Sequence, residues 1–166
     1  MREFFVENWG NLASVAGLLV SIGALFFARS AAQTVKLVRQ EMQRYSMHEY
    51  LSVFVARFQE FLLLMRLAKW ELAWLRTDEL IAALTWAISK WDLVLGTDRT
   101  RHLTNAQNLL RQIRTKLDES EARGLNEEMK RDLLTSAQLV LEEVITIQGQ
   151  ISRDIETTGV EYERQP

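Results

Sequence analysis

The basic side chains between residues 99 and 114 form the densest group of cationic hydrogen-bond donors in the chain. Guanidinium groups form paired hydrogen bonds that match phosphate oxygens, so this group indicates a binding site for a phosphate-bearing or other anionic ligand. The alternative interpretation is a solvated helix face whose cations pair with the acidic last helix. The residues concerned are Arg99, Arg101, His102, Arg111 and Arg114.

Tryptophan is frequent after residue 46, where the chain has Trp70, Trp74, Trp86 and Trp91. An aromatic face beside basic groups can stack a nucleobase, and Lys69 and Lys90 directly adjoin Trp70 and Trp91 in sequence. We expect Trp70 or Trp91 to stack the base of the ligand whose phosphates the basic residues bind. The alternative is that these rings pack in a core or at a subunit interface, where large aromatic side chains dominate.

The sequence offers no arrangement typical of catalysis. It lacks a glycine-rich phosphate loop, a His-Glu pair at helical spacing and any cysteine nucleophile. Its two histidines, His48 and His102, are far apart and have no ligand-like spacing to acidic residues. We therefore expect no enzymatic activity, no cofactor and no metal site.

Ahead of the region that contains these basic and aromatic residues, the chain has an uncharged run from Trp9 to Ala28. At the α-helical rise its twenty residues span about 30 Å, the thickness of the hydrocarbon core of a bilayer. A cleaved signal peptide would have a shorter apolar region, a more basic start and a clear cleavage site. The run therefore predicts a retained transmembrane helix over 9–28, after a short external N-terminus at 1–8 and before a juxtamembrane helical extension at 29–46.

Small residues recur along this run in alternating steps of four and three. We call this stripe the seam, and in the span it comprises Gly10, Ser14, Gly17, Ser21, Ala24 and Ala28. A period of 3.5 residues is the signature of left-handed helix packing, and small residues allow helix backbones in a bilayer to approach closely. The same steps continue through Ala31 to Val35, Val38, Met42 and Tyr45. We expect a homo-oligomer whose helices associate along the seam, although small residues are common in membrane helices for other reasons.

Charge predicts the orientation of the chain in the membrane. One basic residue precedes the span, whereas Arg29, Lys36, Arg39 and Arg44 follow it. Because basic residues mark the cytoplasmic side, we expect an external N-terminus and a cytoplasmic C-terminal domain, as in a single-pass protein of a bacterial inner membrane. Residues 29–116 are net basic and can face anionic lipid, while residues 117–166 carry a net charge of −7 and would repel nucleic acid, so we expect no double-stranded nucleic acid partner.

The rest of the chain predicts an all-α fold, with a cytoplasmic bundle of about four helices over 47–156 and a disordered tail over 157–166. Apolar residues recur every three or four positions, and the 166 residues include seven glycines and one proline, Pro166. Helices are expected over 48–75, 79–95, 104–120 and 126–155, with a possible break or continuation of the first long helix at Ser46. The expected boundary signals are a cap at Thr77 or Asp78, Gly96, a Thr104–Gln107 capping box, Gly124 and Asn126.

The start of the span, from Asn8 to Leu18, reads NWGNLASVAGL and leads from a short N-terminus into one small-residue helix. With the all-helical domain that follows, this layout resembles the small membrane-anchored cyclic tetra-adenylate effectors of type III CRISPR antiviral systems. The resemblance implies a tetramer, binding of a cyclic oligoadenylate by the cytoplasmic domains and perturbation of the membrane in antiviral defence. It implies no ligand residues, because no shared motif is present. The other class of function that the sequence allows is a constitutive membrane-anchored scaffold with a helical protein-interaction domain.

Overall fold

The computed structural model describes the backbone of residues 2–163 and side chains at 14, 17–92, 94–119 and 124–157. It contains the helices α1 (Arg2–Arg66), α2 (Trp70–Arg123) and α3 (Glu127–Glu163), and no strand in that part of the chain. The backbone of α2 is non-helical at Trp91 and Gly96, which divides this element into two helices. The predicted all-α fold, with a long apolar first helix followed by a helical bundle, is confirmed.

The N-terminal part of α1 is long and apolar enough to cross a membrane. Within Gly17–Arg66 it contains a stretch of 18 residues with a mean hydropathy of 1.5, none of which is buried. The described seam residues Ser14, Gly17, Ser21, Ala24 and Ala28 are exposed. A Cβ atom added at Gly17 would meet nothing within 4 Å. The surroundings of Gly10 lie outside the described part of the chain. Length and composition thus make one helix of this chain a candidate membrane span.

The chain divides into two units, Met1–Glu41 and Met42–Pro166. The second unit begins a few residues before the expected domain start at residue 47. Its core is one cluster to which α1, both parts of α2 and α3 contribute side chains with a helical spacing. The most completely buried of the larger ones are Met47, Leu51, Phe58, Phe61, Met65, Leu84, Leu103, Leu110, Ile113, Leu133, Ile147 and Ile151.

The first turn of the bundle lies at residues 67–69, which is earlier than the sequence predicted. Ala68 adopts the left-handed conformation, with φ = 55°, and α2 begins at Trp70. The expected cap at Thr77 is wrong, because Thr77 is buried inside α2 and its hydroxyl donates to the Ala73 carbonyl at 2.9 Å. A threonine can satisfy its hydroxyl within a helix in this way, so it does not have to end one. In this arrangement Leu72 and Leu75 are about half exposed.

The second boundary is the break in α2. Gly96 takes φ = 67°, as expected of a helix C-terminal glycine, but the chain is helical again immediately afterwards. The expected gap between helices 79–95 and 104–120 and the Thr104–Gln107 capping box are therefore wrong. The Thr104 hydroxyl donates to the Thr100 carbonyl at 2.8 Å inside the helix, and the Gln107 amide donates to the Thr85 hydroxyl across the bundle.

The third boundary agrees with the sequence at its start. Gly124 takes φ = 76°, and the Asn126 side chain accepts a hydrogen bond from the backbone N–H of Met129 at 2.7 Å. This is the expected N-cap, since the side-chain oxygen satisfies an amide that has no partner in the first turn. At its other end α3 continues to Glu163, so residues 157–163, where a disordered tail was expected, belong to this helix. Residues 164–166 lie outside the described part.

We expect Ala68→Gly to raise the free energy of unfolding by about 0.5–1 kcal/mol. Glycine removes the Cβ strain of the left-handed conformation, and that gain exceeds its greater loss of chain entropy. Ala82→Gly is the matched control, since Ala82 is exposed inside α2 and should lose about 1 kcal/mol. Thermal unfolding of the full chain in detergent, followed by circular dichroism, measures both. Equal losses in the two variants would contradict a left-handed residue at position 68.

Candidate functional site

Three aromatic side chains from two helices meet in the second unit. Tyr50 lies on α1, whereas Trp86 and Trp91 lie on the first part of α2. The centroid of the Tyr50 ring is 4.8 Å from that of Trp86 and 5.1 Å from that of Trp91. The two indole rings are 5.1 Å apart and nearly perpendicular, at 83°. Both the distances and the tilts are typical of favourable aromatic pairs, so the three rings support one another.

Two features fix the position of this aromatic cluster. The Tyr50 hydroxyl donates a hydrogen bond to the Ala83 carbonyl at 3.1 Å, which ties α1 to α2. Burial raises the pKa of Tyr50, and the nearby Arg57 opposes part of that rise, so the hydroxyl stays protonated and available as a donor at neutral pH. Trp91 is only 2% exposed, at the point where the backbone of α2 departs from helical geometry. Trp86 remains 46% exposed and presents its ring to solvent.

Two cationic groups, those of Lys90 and Arg57, lie near these rings. The Lys90 ammonium lies 4.3 Å from the centroid of the Trp86 ring and 4.8 Å from that of Trp91. Such cation–π contacts stabilise an exposed ammonium by about 0.5–1 kcal/mol. Arg57, one turn beyond Phe54 on α1, adds a second cation, and Glu49 adds one carboxylate. The formal charge of these three groups is +1.

The aromatic and charged groups line an open pocket of about 340 Å³ between α1 and α2. This volume lies in the range typical of small-molecule sites. We call it the aromatic pocket; its lining residues are Ser46, Glu49, Tyr50, Val53, Phe54, Arg57, Ala83, Trp86, Lys90 and Trp91. Its mixture of exposed ring faces with a net positive charge suits a ligand that is both planar and anionic.

The basic residues predicted as phosphate ligands lie elsewhere, and two of them face α3. The Arg99 guanidinium donates to the Asp154 carboxylate at 2.7 Å and to the Gln150 side chain at 3.2 Å. The His102 ring pairs with the Glu143 carboxylate. These contacts match the alternative interpretation of the cluster, in which the cations pair with the acidic last helix.

The other predicted phosphate ligands are divided between solvent and the first part of α2. Arg114 lies over the Trp74 ring, with its guanidinium carbon 3.6 Å from the ring centroid, and pairs with Asp78 at 3.1 Å. Arg101 is 71% exposed, and Arg111 is also exposed. Arg99 and His102 therefore contact α3, and Arg114 contacts the first part of α2. None of the five predicted phosphate ligands lines the aromatic pocket.

Of the two predicted stacking residues, only Trp91 belongs to the aromatic pocket. Trp70 is half-buried at the start of α2, beside Lys69 and Glu71 in a separate depression near the first turn. Sequence reasoning did not identify Tyr50, Arg57 or Glu49. Their signal was weak, because they reside on α1 more than 25 residues from Trp86, and only the packing of α1 on α2 brings them to the same place.

No known protein family, curated protein or solved structure matches this chain. Among the described residues, no group of three or more His, Asp or Glu side chains is placed to hold a metal ion. The features of the chain that bear on its function are the candidate membrane span in α1, the seam and the aromatic pocket.

The pairing of Arg99 makes a prediction about stability. Arg99→Ala should lower the free energy of unfolding by about 1 kcal/mol, because it removes a charge-assisted hydrogen bond at a side chain that is only 20% exposed. Arg101→Ala, the exposed neighbour, should change it by less than about 0.5 kcal/mol. Chemical denaturation of both full-length variants measures the difference. Equal effects would mean that the contact with Asp154 contributes nothing to stability.

Proposed function

We propose that this protein is a homo-oligomeric membrane effector whose cytoplasmic helical domain binds an anionic ligand and thereby changes the packing of the transmembrane helices. The N-terminal part of α1 is the anchor, and the bundle of the second unit is the ligand-responsive domain. The output is a perturbation of the membrane. The ligand class implied by the resemblance to CRISPR-associated effectors is a cyclic oligoadenylate, and the corresponding biological role is antiviral defence in a bacterial inner membrane.

The seam is the observation that carries this proposal. Its small residues give way, in the same alternating steps, to the large apolar residues Val35, Val38 and Met42, which are 66%, 46% and 68% exposed. Exposing such side chains to water at this spacing is unfavourable, and a second copy with the same spacing would bury them. Because the pattern is self-complementary, further copies of this chain are the simplest occupant.

The charges that follow the seam support the proposed orientation. Arg29, Lys36 and Arg39 are exposed on α1, where they can contact the anionic headgroups of the inner leaflet. The bundle then lies on the cytoplasmic side. A cytoplasmic ligand would act through the helix that both units share, since α1 is continuous from Arg2 to Arg66.

A constitutive membrane-anchored scaffold is the second candidate, and a different observation favours it. Near the first turn of the bundle, Leu63, Leu67, Leu72 and Leu75 are each about half exposed. Exposed apolar residues of this kind can contact a protein partner. In the scaffold the helices are a passive tether, and no ligand changes their packing.

Substitutions on the seam test the oligomer directly. Gly17→Leu and Ser21→Leu enlarge small residues without making the span less hydrophobic, so insertion should be unaffected while close helix contact is lost. We expect the association constant of the oligomer in detergent to fall at least about tenfold, measured by cross-linking and analytical ultracentrifugation. Leu19→Ile and Ile22→Leu, off the seam, are the controls and should leave association unchanged. Equal behaviour of the seam and control variants would refute the seam as an interface.

Vesicle leakage separates the effector from the scaffold. The full-length protein is reconstituted into dye-loaded vesicles and exposed to cyclic tetra-adenylate, to linear oligoadenylate or to buffer alone. The effector predicts leakage that depends on the cyclic ligand and is lost in Gly17→Leu. An oligomer that remains intact and causes no leakage under any of these conditions would favour the scaffold.

A further inference from the structure

We propose that the aromatic pocket is a nucleotide-binding site. In this assignment a planar base stacks on Trp86, while Arg57 and Lys90 bind the phosphate. The inference deepens the proposed function, on which it rests for the biological meaning of the ligand, because it assigns the anionic ligand a site. That site differs from the basic residues 99–114 that the sequence indicated.

The exposed ring of Trp86 offers a face on which a base can stack. Trp86 is about half exposed, whereas Trp91 beneath it is buried and meets it edge to face. Tyr50 packs against both rings and is held by its hydrogen bond to the Ala83 carbonyl. The exposed indole is therefore fixed from behind by two aromatic neighbours. A preorganised ring of this kind stacks a base without losing side-chain freedom on binding.

The two cations that line the aromatic pocket, Lys90 and Arg57, differ in their partners from other cations of the bundle. Arg99, His102 and Arg114 each pair with a carboxylate in the bundle. Lys90 and Arg57, in contrast, form no ion pair with any carboxylate among the described residues, although Glu49 lines the same pocket. The Lys90 ammonium instead lies over two ring faces. An incoming phosphate offers both cations a charge-assisted partner that the protein itself does not supply.

The charge and the volume of the aromatic pocket restrict the class of ligand that it can bind. A cationic ligand of the kind that aromatic cages hold would be repelled, because Lys90 and Arg57 already place two positive charges at the pocket. A simple inorganic anion would use the cations but leave the rings without a partner. A pocket of about 340 Å³ has room for one nucleotide unit rather than for a duplex. A base that stacks on Trp86 takes the place of the ammonium, and Lys90 turns to the phosphate.

Binding is tested with the full-length protein in detergent micelles, by isothermal titration calorimetry. The probes are the four nucleoside 5′-monophosphates, with adenosine and inorganic phosphate as the two halves of the ligand. We expect at least one monophosphate to bind about tenfold more tightly than adenosine or phosphate. Binding of phosphate as tight as that of every monophosphate would overturn the role of the rings. No binding of any monophosphate would overturn the site.

Variants locate the binding. Trp86→Leu and Lys90→Gln change exposed or half-exposed side chains, so the fold should survive, and circular dichroism checks that it does. Each should weaken monophosphate binding about ten- to a hundredfold, the loss expected for one stacked base or one charge-assisted hydrogen bond. The same changes at Trp70 and Arg111 test the site inferred from sequence. A loss of binding there, with Trp86→Leu and Lys90→Gln unaffected, would overturn the aromatic pocket.

The proposed seam and the proposed nucleotide site can each be refuted without the other. If no monophosphate binds but Gly17→Leu still dissociates the oligomer, the pocket assignment is wrong and the proposed seam stands. If a monophosphate binds and the losses occur at Trp86 and Lys90, but the seam variants keep the oligomer intact, the site stands and the proposed helix packing is wrong.

Discussion

Burial of one face of α1 against α2 and α3 is the interaction on which the bundle depends. From Met47 to Met65 this face contributes large aliphatic and aromatic side chains to the common core, among them Phe54, Phe58 and Phe61. Removing such side chains from water stabilises the fold by about 1.5–3 kcal/mol each. The same packing brings Tyr50 beside Trp86 and Trp91. The aromatic pocket therefore exists only when the core has formed.

Electrostatics distinguish the two groups of cations in the bundle. The cations that face α3 or the first part of α2 have carboxylate partners, as expected where acidic and basic helices pack together. At the aromatic pocket, Lys90 lies over ring faces instead. A partly buried cation that has a carboxylate partner gains little from a ligand, whereas one that has only a ring gains a full ionic contact. The density of basic residues in the sequence therefore does not show which of the cations have carboxylate partners in the fold.

The helical periodicity of the sequence predicted the fold well and its boundaries unevenly. Val140, Val144 and Ile147 recur at helical spacing and are all buried, because the spacing of apolar residues determines which face of a helix is inside. Gly124 and Asn126 were found because their roles follow from local backbone chemistry. The turn at Ala68 was missed because alanine gives no sign of a left-handed conformation, and Thr77 imitated a cap that it does not form. The pocket could not be derived, because Tyr50 and Trp86 share no local pattern and meet only through tertiary packing.

The interruption of α2 at Trp91 and Gly96 has a mechanical consequence. An unbroken helix transmits a twist along its whole length, because every turn is hydrogen-bonded to the next. Non-helical torsions at Trp91 and Gly96 interrupt this ladder, so the two parts of α2 are not one continuous helix. The α2 residues that line the aromatic pocket, Ala83 to Trp91, lie before or at the break, and the ion pairs of Arg99 and His102 lie after it. The two parts are therefore coupled by side chains, such as Arg114 with Asp78 and Gln107 with Thr85, and not by helix hydrogen bonds alone.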